Sequence, residues 1–126
     1  MQIASFNAKT QPSAPANWDE VKGRTITFLR AGEIIMIALE MGEDECDPTV
    51  GCVVPVGFRT DGSWIWSMEL EYYADKYSMP IDQDLLCHVL SLDFTMPVVS
   101  PESANTALEE LMKAAAEYAP EVSGSA

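Results

Sequence analysis

Positive charge is the scarcest commodity in this chain. Seven Lys and Arg stand against twenty Asp and Glu, a formal net charge of −13 at pH 7. A nucleic-acid binder needs cations to replace the counterions condensed on phosphates, so nucleic acid is excluded as a partner. Docking on anionic lipid is excluded for the same reason. Cysteine is sparse too: Cys46, Cys52 and Cys87 form neither a disulfide framework nor a paired C-x-x-C zinc motif. Three free thiols suit a reducing, cytoplasmic setting. There is one histidine, His88, and no glycine-rich phosphate loop. No apolar run approaches the roughly 20 residues of a membrane span. MQIASFNAKTQPSAPANWDE lacks the apolar core of a secretory signal.

What is present is enough for one core. The 126 residues are 48% hydrophobic, which suits a single domain. Residues 1–20, polar and punctuated by Pro12 and Pro15, read as a flexible arm with Trp18 as its one anchor. Residues 21–119 read as the domain, and 120–126 as a disordered tail. Arg24–Arg30 (RTITFLR) alternates like a strand. Ile34–Leu39 (IIMIAL) is apolar on both faces, as a covered central strand would be, and the two read as a tight hairpin, while a helix through EIIMIALEM stays open as the alternative. Gly42–Pro48 (GEDECDP) reads as a solvated acidic loop. Val50–Arg59 reads as a third strand, interrupted by Pro55 at an edge or bulge.

Asp61-Gly62 lies between two β-type runs, FRT and SWIW, and signals a hairpin. A two-residue type I′ turn sets Arg59 opposite Trp64, Phe58 opposite Ile65 and Gly57 opposite Trp66. Val56, Phe58 and Ile65 then share one face; Arg59, Trp64 and Trp66 share the other. On that second face Arg59 is placed for a cation–π contact with Trp64, and Trp66 fills the space beside Gly57. Either the face packs under a helix or it is an aromatic contact surface, and composition does not say which.

Beyond Trp66 the period changes from 2 to 3.6. Ser67 caps a helix carrying Glu69 and Glu71 in its first turns, with Leu70, Tyr73 and Tyr77 as a stripe. Pro80 stops it. Asp82 caps a second helix with Leu85, Leu86, Val89 and Leu92 inward. Ser100-Pro101 opens a third, with Leu108, Leu111, Met112, Ala115 and Tyr118 at helical spacing. Strands first and helices afterwards predict an α+β fold: a small antiparallel sheet followed by three helices.

No chemistry declares itself. Cys87 and His88 are adjacent on a helix, about 100° apart, so they do not form a nucleophile–base pair. The acids of GEDECD lack the alternate spacing, bend glycine and distal glutamate of a calcium loop. Neither a metal nor an organic cofactor is expected. Twenty acids supply carboxylate pairs everywhere, so pairing alone indicates nothing.

The run GFRTDGSWIWSMELEYYADKYSMPIDQDLLCHV resembles a pattern in small, largely uncharacterised bacterial proteins, mostly actinobacterial. In these an R-T-D-G-x-W-x-W hairpin precedes a Tyr-Tyr helix, a proline and a second helix ending near a histidine. The matching residues are Arg59, Thr60, Asp61, Gly62, Trp64, Trp66, Tyr72, Tyr73, Pro80 and His88, and the likeness covers residues 55–90. Some proteins of this look are suspected to be immunity proteins of toxin systems; the resemblance supplies no catalytic residues.

Charge and resemblance together predict a non-enzymatic, bacterial, acidic binding protein that neutralises a basic protein, either a toxin or a nucleic-acid-binding protein. Its contacts are expected from Glu43, Asp44, Glu45 and Asp47, from Arg59, Trp64 and Trp66, and from the helical residues Glu69, Glu71, Tyr72, Asp75, Asp82 and Asp84. Two other readings stay open. One is a DNA-mimicking inhibitor of a host defence protein, from a phage or mobile element. The other is a structural or assembly subunit, possible as a homo-oligomer, whose arm orders on a neighbour.

Overall fold

The computed structural model describes residues 1–6 and 12–118. It has an α+β fold, with a mixed four-stranded sheet, a two-stranded ribbon and four helices. The strands of the main sheet are β1 (Gln2–Ala4), β2 (Glu33–Ile37), β5 (Gly57–Thr60) and β6 (Trp64–Ser67), in the order β1-β6-β5-β2. β3 (Gly42–Glu43) and β4 (Cys52–Val54) form the ribbon, bridged by a single helical turn at Pro48–Val50. The helices are α1 (Trp18–Arg30), α2 (Met68–Tyr77), α3 (Gln83–Ser91) and α4 (Pro101–Tyr118).

The N-terminal reading needs correction. Gln2–Ala4 is no arm: it pairs parallel with β6, setting Ile3 beside Ile65 and Ala4 beside Trp66. That pairing also makes the sheet mixed rather than wholly antiparallel. Residues 7–11 of the expected arm and 120–126 of the expected tail lie outside the described residues.

Trp18 and the supposed strand RTITFLR belong to one helix. Trp18, Thr25, Ile26, Phe28 and Leu29 are buried, a stripe at helical spacing that a seven-residue window cannot display. Packing thereby overrides the β preference of Thr25, Ile26 and Thr27. Asp19 and Glu20 at its start and Arg30 at its end suit the helix dipole. Trp18 Nε1 donates to Ser78 O at 2.8 Å, so α1 ties off the left-handed end of α2.

IIMIAL is also misread as a central strand. β2 is an edge, paired on one side with β5. Its register shifts by one between Ile34 and Met36, a bulge whose extra residue, Ile35, packs against the cluster of Ile65, Ala107 and Leu111, as does Phe58.

The hairpin forms, with a different turn. Thr60 pairs with Ile65, Arg59 with Trp66 and Phe58 with Ser67. Type I′ needs positive φ at both central residues, and only Gly62 has it, at +98°. Asp61 caps the loop instead, accepting from the amides of Ser63 at 2.9 Å and Trp64 at 2.8 Å. A slip of two residues preserves alternation, so both faces hold the expected residues.

Both faces are buried. Trp66 lies in a core with Trp18, Phe28, Leu29, Leu70, Leu85 and Val89 from α1, α2 and α3. Ile65 packs on the other side against Ala107 and Leu111 of α4, with Ile3, Ile35 and Phe58 around them. The caps at Ser67, Asp82 and Ser100 are made as their sequences imply. α4 is turned slightly from its expected face: Ala107 is buried while Met112 is exposed. The side chain of Tyr118 lies outside the described residues.

Candidate functional site

Most of the acidic and aromatic residues expected at a contact surface hold the molecule together instead. Asp44, expected in a solvated loop, is fully buried. Its Oδ2 accepts from Tyr72 Oη at 2.6 Å, Tyr77 Oη at 2.7 Å and Lys76 Nζ at 3.3 Å. Its Oδ1 accepts from the amides of Cys46 at 2.8 Å and Asp47 at 2.9 Å. Burial opposes its ionisation. The hydrogen bonds from Tyr72, Tyr77 and the two amides outweigh it and hold the carboxyl far below the usual range. Asp44 thus pins the β3–β4 excursion onto α2, and Tyr73 adds a bond by accepting from the Glu45 amide at 2.9 Å.

Arg59 and Trp66 are likewise internal. Arg59 makes no cation–π contact with Trp64; its Nε donates to Glu71 Oε2 at 2.9 Å, both side chains being largely buried. Trp66 Nε1 donates to the same oxygen at 3.2 Å and to Leu29 O at 3.3 Å. Burial pushes the Glu71 carboxyl up, against the pull of Arg59 and Trp66. The ring of Trp66 does not cover Gly57. It lies against Gly32, where an added Cβ would sit 2.6 Å from Cζ2; Gly57 is hemmed by Met36 O at 2.5 Å instead.

The remaining predicted residues are spread out. Glu43 and Glu45 are exposed beside the ribbon, and Asp47 caps the turn at Thr49. Glu69 packs half-buried by the Ser67 cap. Asp75 is exposed and meets Arg30 at 3.1 Å. Asp82 caps α3, while Asp84 is exposed in its first turn. Trp64 is half-buried near the His88 ring, 6.2 Å between centroids.

His88 joins the hairpin to α3. Its Nε2 lies 2.5 Å from Oδ2 of Asp61, whose other oxygen holds the turn. Ser91 donates to the backbone oxygen of His88 at 2.6 Å rather than to its ring. A cleft of about 580 Å³ opens between Phe6, Leu70, Pro80 and Gln83. Its wall residue Asp82 is engaged by the amides of Asp84 and Leu85. Among the described residues, no three His, Cys, Asp or Glu side chains converge as metal ligands, and no helix is long and apolar enough to cross a membrane.

The exposed feature is apolar, and it was not foreseen. Among the described residues, seven of the eleven exposed large apolar side chains fall between residues 34 and 53. They are Ile34, Met36, Ile37, Leu39, Met41, Val50 and Val53. Within β2 alone Ile34 is 47% exposed, Met36 37% and Ile37 58%. The surrounding stretch, residues 31–58, carries six acids and no Lys or Arg. The nearest cations flanking it, Arg30 and Arg59, are paired with Asp75 and Glu71. The sequence held no local signal for it: RTITFLR and Val50–Arg59 both read as strands able to flank IIMIAL, and only the folding of RTITFLR into α1 leaves the second side of β2 without a strand among the described residues. No protein family, curated protein or solved structure matches the chain.

Proposed function

We propose that this is a non-enzymatic binding protein whose partner is a basic protein, in the manner of an immunity-type inhibitor that neutralises a toxin. The observation that carries the reading is the run of exposed apolar side chains between residues 34 and 53, interspersed in the sequence with acids and with no base. A row of exposed Ile, Leu, Met and Val on a soluble-type fold marks a contact surface. The acids Glu33, Glu40, Glu43 and Glu45 have no neutralising base among them in the sequence. Apolar side chains accompanied by charge of a single sign favour a partner of opposite charge and speed its approach. The resemblance of residues 55–90 to suspected immunity proteins points the same way. The contact residues differ from those first expected: Glu43 and Glu45 remain, whereas Asp44, Arg59, Trp66 and Glu71 support the surface from within.

The test is association with the basic partner across salt concentrations. Replacing Leu39 and Met41 by Ser should weaken binding mainly through faster dissociation. Replacing Glu40 and Glu43 by Lys should slow association and flatten its salt dependence. Association rates indifferent to both salt and the Glu→Lys changes would overturn the reading.

A further inference from the structure

We propose that the partner docks by strand addition: an extended segment of alternating basic and apolar residues joins the free edge of β2 as a fifth strand. This rests on the basic-partner reading above and adds the mode of recognition. Among the described residues β2 has a strand partner on one side only, β5. The Ala38 amide donates to Val56 O at 2.8 Å, so by antiparallel alternation the amide and carbonyl of neighbouring Ile37 point away from the sheet. Such an edge is a template for another chain, and proteins ordinarily blunt it with lysine, proline or a cover. Over its five residues β2 has no Lys or Pro, and its one charge, Glu33, sits at its start. The bulge at Ile35 lies before Met36 and leaves the Ile37 end regular.

Charge selects the occupant. In a second copy of this chain, antiparallel pairing centred between Met36 and Ile37 would set Glu33 opposite Glu40. Any other register would still join two acidic segments without a base. A strand bearing Lys or Arg at alternate positions meets Glu33 and Glu40 favourably while its apolar side chains lie on Ile34 and Ile37. Main-chain ladder bonds would supply affinity and these side chains selectivity.

Two short peptides of equal length and lysine content serve as probes, one alternating lysine and valine, the other alternating lysine and proline so that it cannot form a ladder. Three proteins are compared: wild type, Ile37→Pro and Ile37→Thr. Proline removes an amide that the fold does not use, so Ile37→Pro should melt like Ile37→Thr. The expected result is that wild type and Ile37→Thr bind the lysine–valine peptide, while Ile37→Pro binds roughly tenfold more weakly, as one lost ladder bond implies. Equal binding of both peptides, or of that peptide by wild type and Ile37→Pro, overturns strand addition but keeps the basic-partner reading. Binding of neither peptide at low salt overturns both. Concentration-dependent dimerisation of wild type that Ile37→Pro abolishes would make a second copy the occupant and overturn the proposal.

Discussion

At the scale of single residues, Asp44 shows how little a side chain's type says about its place. Within Glu43, Asp44, Glu45 and Asp47, only Asp44 turns inward, because Tyr72, Lys76 and Tyr77 arrive from α2 to meet it. Those donors are twenty-eight or more positions away, a separation that local pattern cannot bridge. Replacing Asp44 by Asn should lower the melting temperature by several degrees, since one amide oxygen cannot accept five bonds and its NH₂ faces donors. The pH dependence has a definite sign. A carboxyl held below its ordinary value of about 3.9 stabilises the fold above that pH, and the contribution is lost as pH falls towards its folded value. The variant should therefore lose part of the wild type's acid sensitivity below about pH 4. Burial and the bond to Asp44 also push the Tyr77 phenol up to about 12. In Asp44→Asn it should move back towards about 10, read by near-ultraviolet titration. Unchanged tyrosine titration would show that Asp44 is not the acceptor.

At the scale of elements, the well-read parts are those fixed by short-range chemistry. Ser67, Asp82 and Ser100 cap their helices because an Oγ or carboxylate reaches amides two or three residues on. The hairpin formed for the same reason, and its faces survived a slip of two because alternation has period two. Misreading arose where long-range packing decided. RTITFLR became helix when Trp18 completed its stripe, and IIMIAL became an exposed edge because the only strand that reached it was β5. Of the candidate site, the acids Glu43 and Glu45 are legible; within the apolar row IIMIAL reads as a covered central strand, because local pattern does not show which strands will flank it. The contact of α1, β2 and β6 can be tested at glycine. Gly32→Ala drives a Cβ to within 2.6 Å of the fully buried Trp66 ring and 3.2 Å of Arg59 Cβ. With no room to yield, the change should cost about 1–3 kcal/mol in urea unfolding. Gly23→Ala, in the exposed middle of α1 with open space around it, should instead stabilise by about 0.5–1 kcal/mol. Equal effects at the two glycines would mean that Trp66 does not press on Gly32.

At the scale of the whole molecule, charge is the term left uncompensated. The cations near the core are committed to single acids: Arg59 to Glu71, Lys76 to Asp44, Arg30 to Asp75. Most other carboxylates of the described residues face water, and the repulsion of a net −13 destabilises the compact state. Two consequences follow for stability. Salt shortens the screening length to about 8 Å at physiological strength, so added sodium chloride should raise the melting temperature by a few degrees. Acidification from neutrality to about pH 5 should do the same at low salt, because the compact state binds protons more readily than the expanded one. Glu71 and Glu69 reinforce this sign. Burial raises both carboxyls, so the folded state gains stability as pH falls through their folded values. Below about pH 4 the sign reverses, because the unfolded chain takes up a proton at Asp44 that the folded carboxyl, held far lower, does not. Calorimetric scans across pH at low salt should thus show a maximum on the acidic side of neutrality, flattened by added salt. A maximum that stays in place and keeps its height in high salt would assign the stability profile to the buried carboxyls alone and leave the surface charge free for recognition of a basic partner.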